Sequence, residues 1–298
     1  MSATQEPVST RNILAAAGMV FAWSGGFIGA ELGIRAGGTP LMLLSWRMYV
    51  LTAVLGLVML VRRAPWPSRR AWQRTAVVAT FSQAGYLTLI FEGVHHGVSG
   101  GTAALIAAVQ PLLVATVAGR ALGEHTTVRM WLGMLVGLLG VGLVVSGDIA
   151  AGGPPASAYA YPVAGMLCLS IGTIIARRVR ANETVLQSTF MQAAVTGVIL
   201  GLLAAIVGEA APLHTPDFWR SIAWMVLVPS LGGYALYMYV THHMGATTVS
   251  TLLFLEAPTA MVWVWIMFGV PLTATSIAGL VVSAAGVVLV LQARRSRT

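Results

Sequence analysis

Residues Gly232–Trp263 read GGYALYMYVTHHMGATTVSTLLFLEAPTAMVW, and Ala84–Gly97 read AGYLTLIFEGVHHG. Shifted by about 148 positions, Gly85 falls on Gly233, Tyr86 on Tyr234, His95 on His243 and Gly97 on Gly245. A one-residue slip then places Pro111 on Pro258. A second places Gly133, Gly137 and Gly140 on Gly279, Ser283 and Gly286. Further upstream, Gly18, Met19 and Gly25 match Gly165, Met166 and Gly172. The chain reads as one unit of roughly 150 residues written twice. The expected halves are 1–150 and 151–298, joined at GGPPASA (152–158).

The composition places both copies in a bilayer. Of 298 residues, 57% are hydrophobic and only 9% charged, against about 25% charged in soluble domains. Lipid offers the backbone no hydrogen bonds, so apolar runs of about 20 residues are read as helices that bond internally. The pattern predicts an all-α membrane protein of ten spans, near 13–35, 40–62, 72–94, 98–120, 129–147, 160–178, 186–208, 219–241, 246–268 and 274–292.

All 17 basic residues are arginines, and the net charge is +8. Their placement reads as a topology signal rather than a nucleic-acid surface. With ten spans, Arg11, Arg62, Arg63, Arg69, Arg70, Arg74, Arg120, Arg129, Arg177, Arg178, Arg180, Arg294, Arg295 and Arg297 share one side. Arg35 and Arg220 fall on the other. The positive-inside rule then sets both termini in the cytoplasm. Five spans per half, an odd number, leave the halves upside down relative to each other, as in the inverted repeats of secondary transporters. Met1–Asn12 reads as a retained polar tail, and Cys168 as a packing residue.

Polar residues within spans are costly and point to cavities or partners. Arg47 requires a carboxylate, and Glu31 is the expected partner, with Glu256 at a plausible depth. Glu256 precedes Pro258, as Gln110 precedes Pro111 in the first copy. These prolines are expected to kink mid-membrane helices and act as hinges. Thr259 and Trp263 follow Glu256 on one helical face. Tyr234 and Tyr237 lie on a stripe with Ser230 and Thr241; Gln83, Tyr86 and Trp23 offer similar faces in the first half. The expected substrate-binding set is therefore Trp23, Gln83, Tyr86, Gln110, Tyr234, Tyr237, Glu256 and Trp263. Gly133, Gly137, Gly140, Gly279, Ser283 and Gly286 read as close helix packing, within a half or in a dimer. No Walker A sequence, metal-ligand spacing or catalytic set is readable, so neither enzyme activity nor a cofactor or metal is expected.

These segments resemble the EamA-like branch of the drug/metabolite transporter superfamily over essentially the whole chain. AWSGGFIGAELG (22–33) resembles its first span, TPLMLLSWRMYV (39–50) its second-span Pro and Arg, and GVSGGTAALIAAVQPLLVAT (97–116) its fourth. LGMLVGLLGVGLVV (132–145) and IAGLVVSAAGVVLVL (277–291) resemble its fifth and tenth. Within the branch the chain is most similar to YddG-type exporters of aromatic and other neutral amino acids. That resemblance implies alternating access through a central cavity in a bacterial-type inner membrane. It implies a small-molecule substrate and the lipid bilayer as partners, and it is compatible with a monomer. The second half departs from the pattern: span 6 lacks a tryptophan equivalent to Trp23, and Phe190 stands near where span 2 has Arg47. The alternative is a proton-coupled exporter of cationic drugs, with Glu256 as the coupling carboxylate.

Overall fold

Short polar punctuation sets the helix starts. Thr39, Ser68, Ser99, Thr127, Thr184 and Thr215 each accept a backbone N–H of the following turn through the side-chain hydroxyl, satisfying donors that a helix start leaves free. Pro40 and Pro216 follow two of these caps, where a missing N–H costs nothing. Thr184 and Gln187 form a reciprocal capping box.

The computed structural model describes residues 10–114, 127–179, 183–245, 249 and 252–295. The end of the expected fourth span (115–120), the start of the ninth (246–248, 250–251), and Arg120, Arg180 and Arg297 lie outside the described residues. The described chain forms α1 (Thr10–Arg35), α2 (Pro40–Val61), α3 (Arg69–Ala79), α4 (Tyr86–His95), α5 (Gly100–Ala107) and α6 (Val128–Ala150). It continues as α7 (Ala160–Arg178), α8 (Val185–Ile206), α9 (Pro216–Met225), α10 (Tyr234–Met244), α11 (Glu256–Phe268) and α12 (Ala274–Arg295). Among the described residues there is no strand. Seven continuous helical stretches are long and apolar enough to cross a membrane, and three shorter apolar ones span Gly100–Val114, Leu253–Phe268 and Ala274–Leu289.

The two copies repeat backbone irregularities as well as letters. A π-helical segment, Thr80–Gly85, joins α3 to α4, and another, Val226–Gly233, joins α9 to α10. Both end on the matched glycine that precedes Tyr86 or Tyr234. Both following helices stop before a glycine with positive φ, Gly97 at 94° and Gly245 at 83°. Gly245 has ψ 157°, a region essentially reserved for glycine. The proline regions are irregular in both copies too. The first has a turn at 108–109 just before Pro111, and the second a 3₁₀ turn at Leu253–Leu255 before Pro258.

Helix pairing follows the duplication. α6 packs on its equivalent α12, α2 on α8, and α5 on α11. α1 packs along α9 and α10, while α7 packs along α4 and the segment before it. α6 and α12 run antiparallel, as do α2 and α8. Gly133 and Gly137 meet Gly286, Gly140 meets Gly279 and Ser283, and Gly147 meets Thr275. Likewise Gly56 lies against Phe190 and Gly197 against Tyr49. The small-residue stripes of α6 and α12 therefore pack on each other within one chain. A Cβ on Gly140 would stand 2.5 Å from the Gly279 carbonyl oxygen, and one on Gly286 2.5 Å from that of Gly133. Backbone approaches backbone along this seam, as small residues permit. Ser283 Oγ crosses it to donate to Gly137 O at 2.9 Å.

The interior is filled by Phe91, Phe218, Leu43, Leu44, Met59 and Met191, all fully buried. The outward faces are apolar as well: Leu57, Leu60, Leu132, Leu139, Ile206 and Val281 are each more than half exposed. A surface this apolar suits lipid rather than water.

Candidate functional site

Where the halves meet, a cavity of about 290 Å³ is lined by Trp23 of α1, Arg47 of α2, Gln83 and Tyr86 around the first π segment, Gln110, Pro111, Ser230, Tyr234 and Glu256. A second space of about 580 Å³ continues from it. The two share Trp23, Gln110, Pro111, Gln192 and Tyr234. The continuation runs past Tyr237, Thr173 and Ser188 to Arg177 at the end of α7.

The aromatic wall is a cluster. The Trp23 ring lies 5.5 Å from the rings of both Tyr234 and Tyr237, within the range of favourable aromatic contacts. The amide wall is bonded to its neighbours: Gln83 Nε2 donates to Gln192 Oε1 at 3.4 Å, and Gln192 Nε2 to Ser188 Oγ at 3.0 Å. Gln110 Nε2 donates to Thr173 Oγ1 at 3.1 Å.

The second π segment explains how Arg47 is held. Pro229 lacks the N–H that would reach the Met225 carbonyl in a regular helix. Ser230 Oγ donates to that carbonyl at 2.9 Å instead. The same oxygen accepts from Arg47 Nη2 at 3.1 Å. Arg47 is only 8% exposed, and its Nε has no hydrogen-bond partner. Glu256 opens α11 at the cavity edge. Ser24 Oγ ties its backbone carbonyl to α1 at 3.1 Å. Its carboxylate has no ion-pair partner among the described residues.

Two sequence expectations are corrected by this geometry. The expected Arg47–Glu31 ion pair does not form. Glu31 Oε1 instead accepts the backbone N–H of Gly100 at 2.9 Å, and Oε2 accepts from Arg35 Nε at 3.2 Å. A helix start and the next turn of its own helix satisfy Glu31, because both favour a carboxylate there. Trp263 does not line the cavity. It packs against the rings of Phe21 and Trp224, with centroids 4.0 and 5.4 Å away. Seven residues carry it about 10 Å along the helix axis from Glu256, beyond the cavity. Pro258 lies in the first turn of α11, just after the 3₁₀ turn at Leu253–Leu255 that interrupts the helical stretch. The remaining expected residues, Trp23, Gln83, Tyr86, Gln110, Tyr234, Tyr237 and Glu256, line the cavity or its continuation, as does Pro111.

The EamA-like transporter family matches this chain twice, over residues 10–146 and 156–292. The chain belongs to that family. This EamA-like chain is 25% identical over 277 residues to the uncharacterized transporter YdfC of Bacillus subtilis (strain 168), covering 90% of this chain and 87% of YdfC. It is 23% identical over 235 residues to the uncharacterized inner membrane transporter YedA of Escherichia coli (strain K12), covering 77% and 75% of the two chains. A solved crystal structure, described only as that of a protein, superposes with a TM-score of 0.65 over 97% of this chain and 99% of its own, at 18% identity. The EamA-like chain is thus a multi-pass membrane transporter built from two copies of one unit.

Sequence reading overlooked part of the EamA-like cavity. Ser188, Thr189 and Gln192 of α8 line it, and their signal is a polar stripe at i, i+1 and i+4 in QSTFMQ (187–192). Thr173 of α7 was detectable only as a lone hydroxyl. Phe190 in the same stretch points away, into the rings of Trp66 and Trp72.

Proposed function

We propose that this chain is an inner-membrane secondary transporter that exports aromatic and other neutral amino acids by alternating access. Ten spans in two inverted five-helix repeats would carry the motion. The observation that carries the reading is the cavity where the repeats meet, with an aromatic wall facing a wall of amides and hydroxyls. Trp23, Tyr86 and Tyr234 offer ring faces to an apolar side chain, and Gln83, Gln110 and Gln192 offer both donors and acceptors. The positive-inside rule sets the arginine-rich end, and both termini, in the cytoplasm. The cavity continues toward Arg177, so this conformation is read as inward-open, ready to load substrate.

Proteoliposomes loaded with labelled phenylalanine should release it in a protein-dependent way that unlabelled neutral amino acids inhibit. No efflux across a panel of neutral amino acids would overturn the assignment. The unpaired carboxylate of Glu256 supports a second reading, proton-driven export of organic cations. The guanidinium of Arg47 in the same cavity opposes it, because like charges repel. Glu256→Gln decides between them: a proton coupler loses its pH response on this substitution, and a substrate-binding carboxylate loses affinity at every pH.

A further inference from the structure

Arg47 and Glu256 are charges that the fold brings to one cavity and leaves without ionic partners among the described residues. Neither arrangement is cheap. A buried guanidinium away from water needs compensation, and a carboxylate near mid-membrane needs it equally. Arg47 receives one hydrogen bond acceptor, the neutral hydroxyl of Ser230, and its Nε remains buried and unpartnered. The carboxylate that sequence spacing suggested for it, Glu31, is occupied by Gly100 and Arg35. Glu256 projects from the opposite half, at the start of α11. Tyr86 lines the same cavity as both. The rings of Trp23 and Tyr234 line that cavity too.

We propose that Arg47 and Glu256 form a two-point site for a zwitterion, Arg47 receiving the α-carboxylate and Glu256 the α-ammonium group of an amino acid. The inference rests on the exporter reading above and narrows it: the ligand must carry both charges. A guanidinium anchored through one Nη2 keeps its remaining N–H groups for a carboxylate, a pairing that suits its planar fork. The Glu256 carboxylate on the same cavity can accept N–H donors from an ammonium. The bound ligand neutralises both protein charges, so the empty cavity is electrostatically unsatisfied and the loaded one is not. Each charge comes from a different repeat, so a zwitterion bridges the two bodies whose relative motion performs transport. A molecule bearing only one charge compensates one half and leaves the other exposed.

The test uses the full chain in proteoliposomes and three labelled compounds sharing one phenyl side chain: phenylalanine, phenethylamine without the carboxylate, and 3-phenylpropionate without the amine. Phenylalanine should leave at least about tenfold faster than either of the others at equal concentration, the effect of one lost charge-assisted contact. Arg47→Gln and Glu256→Gln should each raise the apparent KM for phenylalanine by about tenfold or more, and Arg47→Lys should recover part of the loss. Should either variant fail to fold, protection of the unmodified protein against thermal unfolding by the three compounds gives the same ranking without mutation. Equal transport of all three compounds overturns the two-point site and leaves the exporter intact. Movement of phenethylamine alone overturns it in favour of cation export. Movement of none removes the two-point site together with the amino-acid exporter reading.

Discussion

At Ser230 a single hydroxyl completes two neighbours: it replaces the N–H that Pro229 lacks and it holds Arg47. Ser230→Ala leaves a buried carbonyl and a buried guanidinium short of partners, at a cost of about 1–3 kcal/mol. Unfolding of the purified protein in mixed micelles should show that loss, together with weaker substrate binding. Trp23 acts differently, through ring contacts with Tyr234 and Tyr237. Trp23→Ala should raise the KM for aromatic substrates by roughly twofold to tenfold, measured as efflux, and leave that for alanine nearly unchanged. The aromatic lining was legible in the sequence because Tyr86 and Tyr234 fall at matched positions and Trp23 stands among small residues. The partner of Arg47 was not. Depth along a span narrows the choice of carboxylates, but it does not reveal that Glu31 meets the backbone of Gly100, which lies 69 positions away.

Each half contains helices that are interrupted at equivalent places. Proline marked one interruption in the sequence, since a missing N–H is written in the residue name. The first π segment, TFSQAG, carried no comparable signal, since it contains no proline; the second contains Pro229. Their common end at Gly85 and Gly233 becomes meaningful only once the repeat is aligned. Such insertions cluster at functional sites in helices, and here both lead into cavity tyrosines. Pro111 follows the turn that ends α5. Pro111→Ala restores a backbone donor and lets the helix run on through 108–109. Transport turnover should fall several-fold while stability holds or rises, because removing an interior proline favours the helix by up to about 3 kcal/mol. Paired efflux and unfolding measurements separate these effects; unchanged turnover would show that the break is not used.

For the molecule as a whole, the repeat was legible in the sequence, and the family matches the chain twice, over 10–146 and 156–292; five spans in each copy and opposed orientation belong to the proposed function. Pairing of α6 with α12 and of α2 with α8 was not written in the sequence, because helix partners depend on which faces meet after folding. The opening of the cavity toward Arg177 was likewise invisible, since access depends on the conformation adopted. With Cys168, the single cysteine, replaced by alanine, Ser188→Cys should react with a membrane-impermeant thiol reagent from the cytoplasmic side, and Thr102→Cys from neither side. Saturating substrate should slow labelling at 188. Labelling at 188 from the outside alone would reverse the assigned orientation. The seam between α6 and α12 bears on how such a change of access proceeds. Glycines there bring main chains so near that neither helix has room to slip or roll, and Ser283 fastens them to each other. Under the alternating access proposed above, these two helices would serve as a fixed post, and the swing would belong to the remaining helices around the cavity.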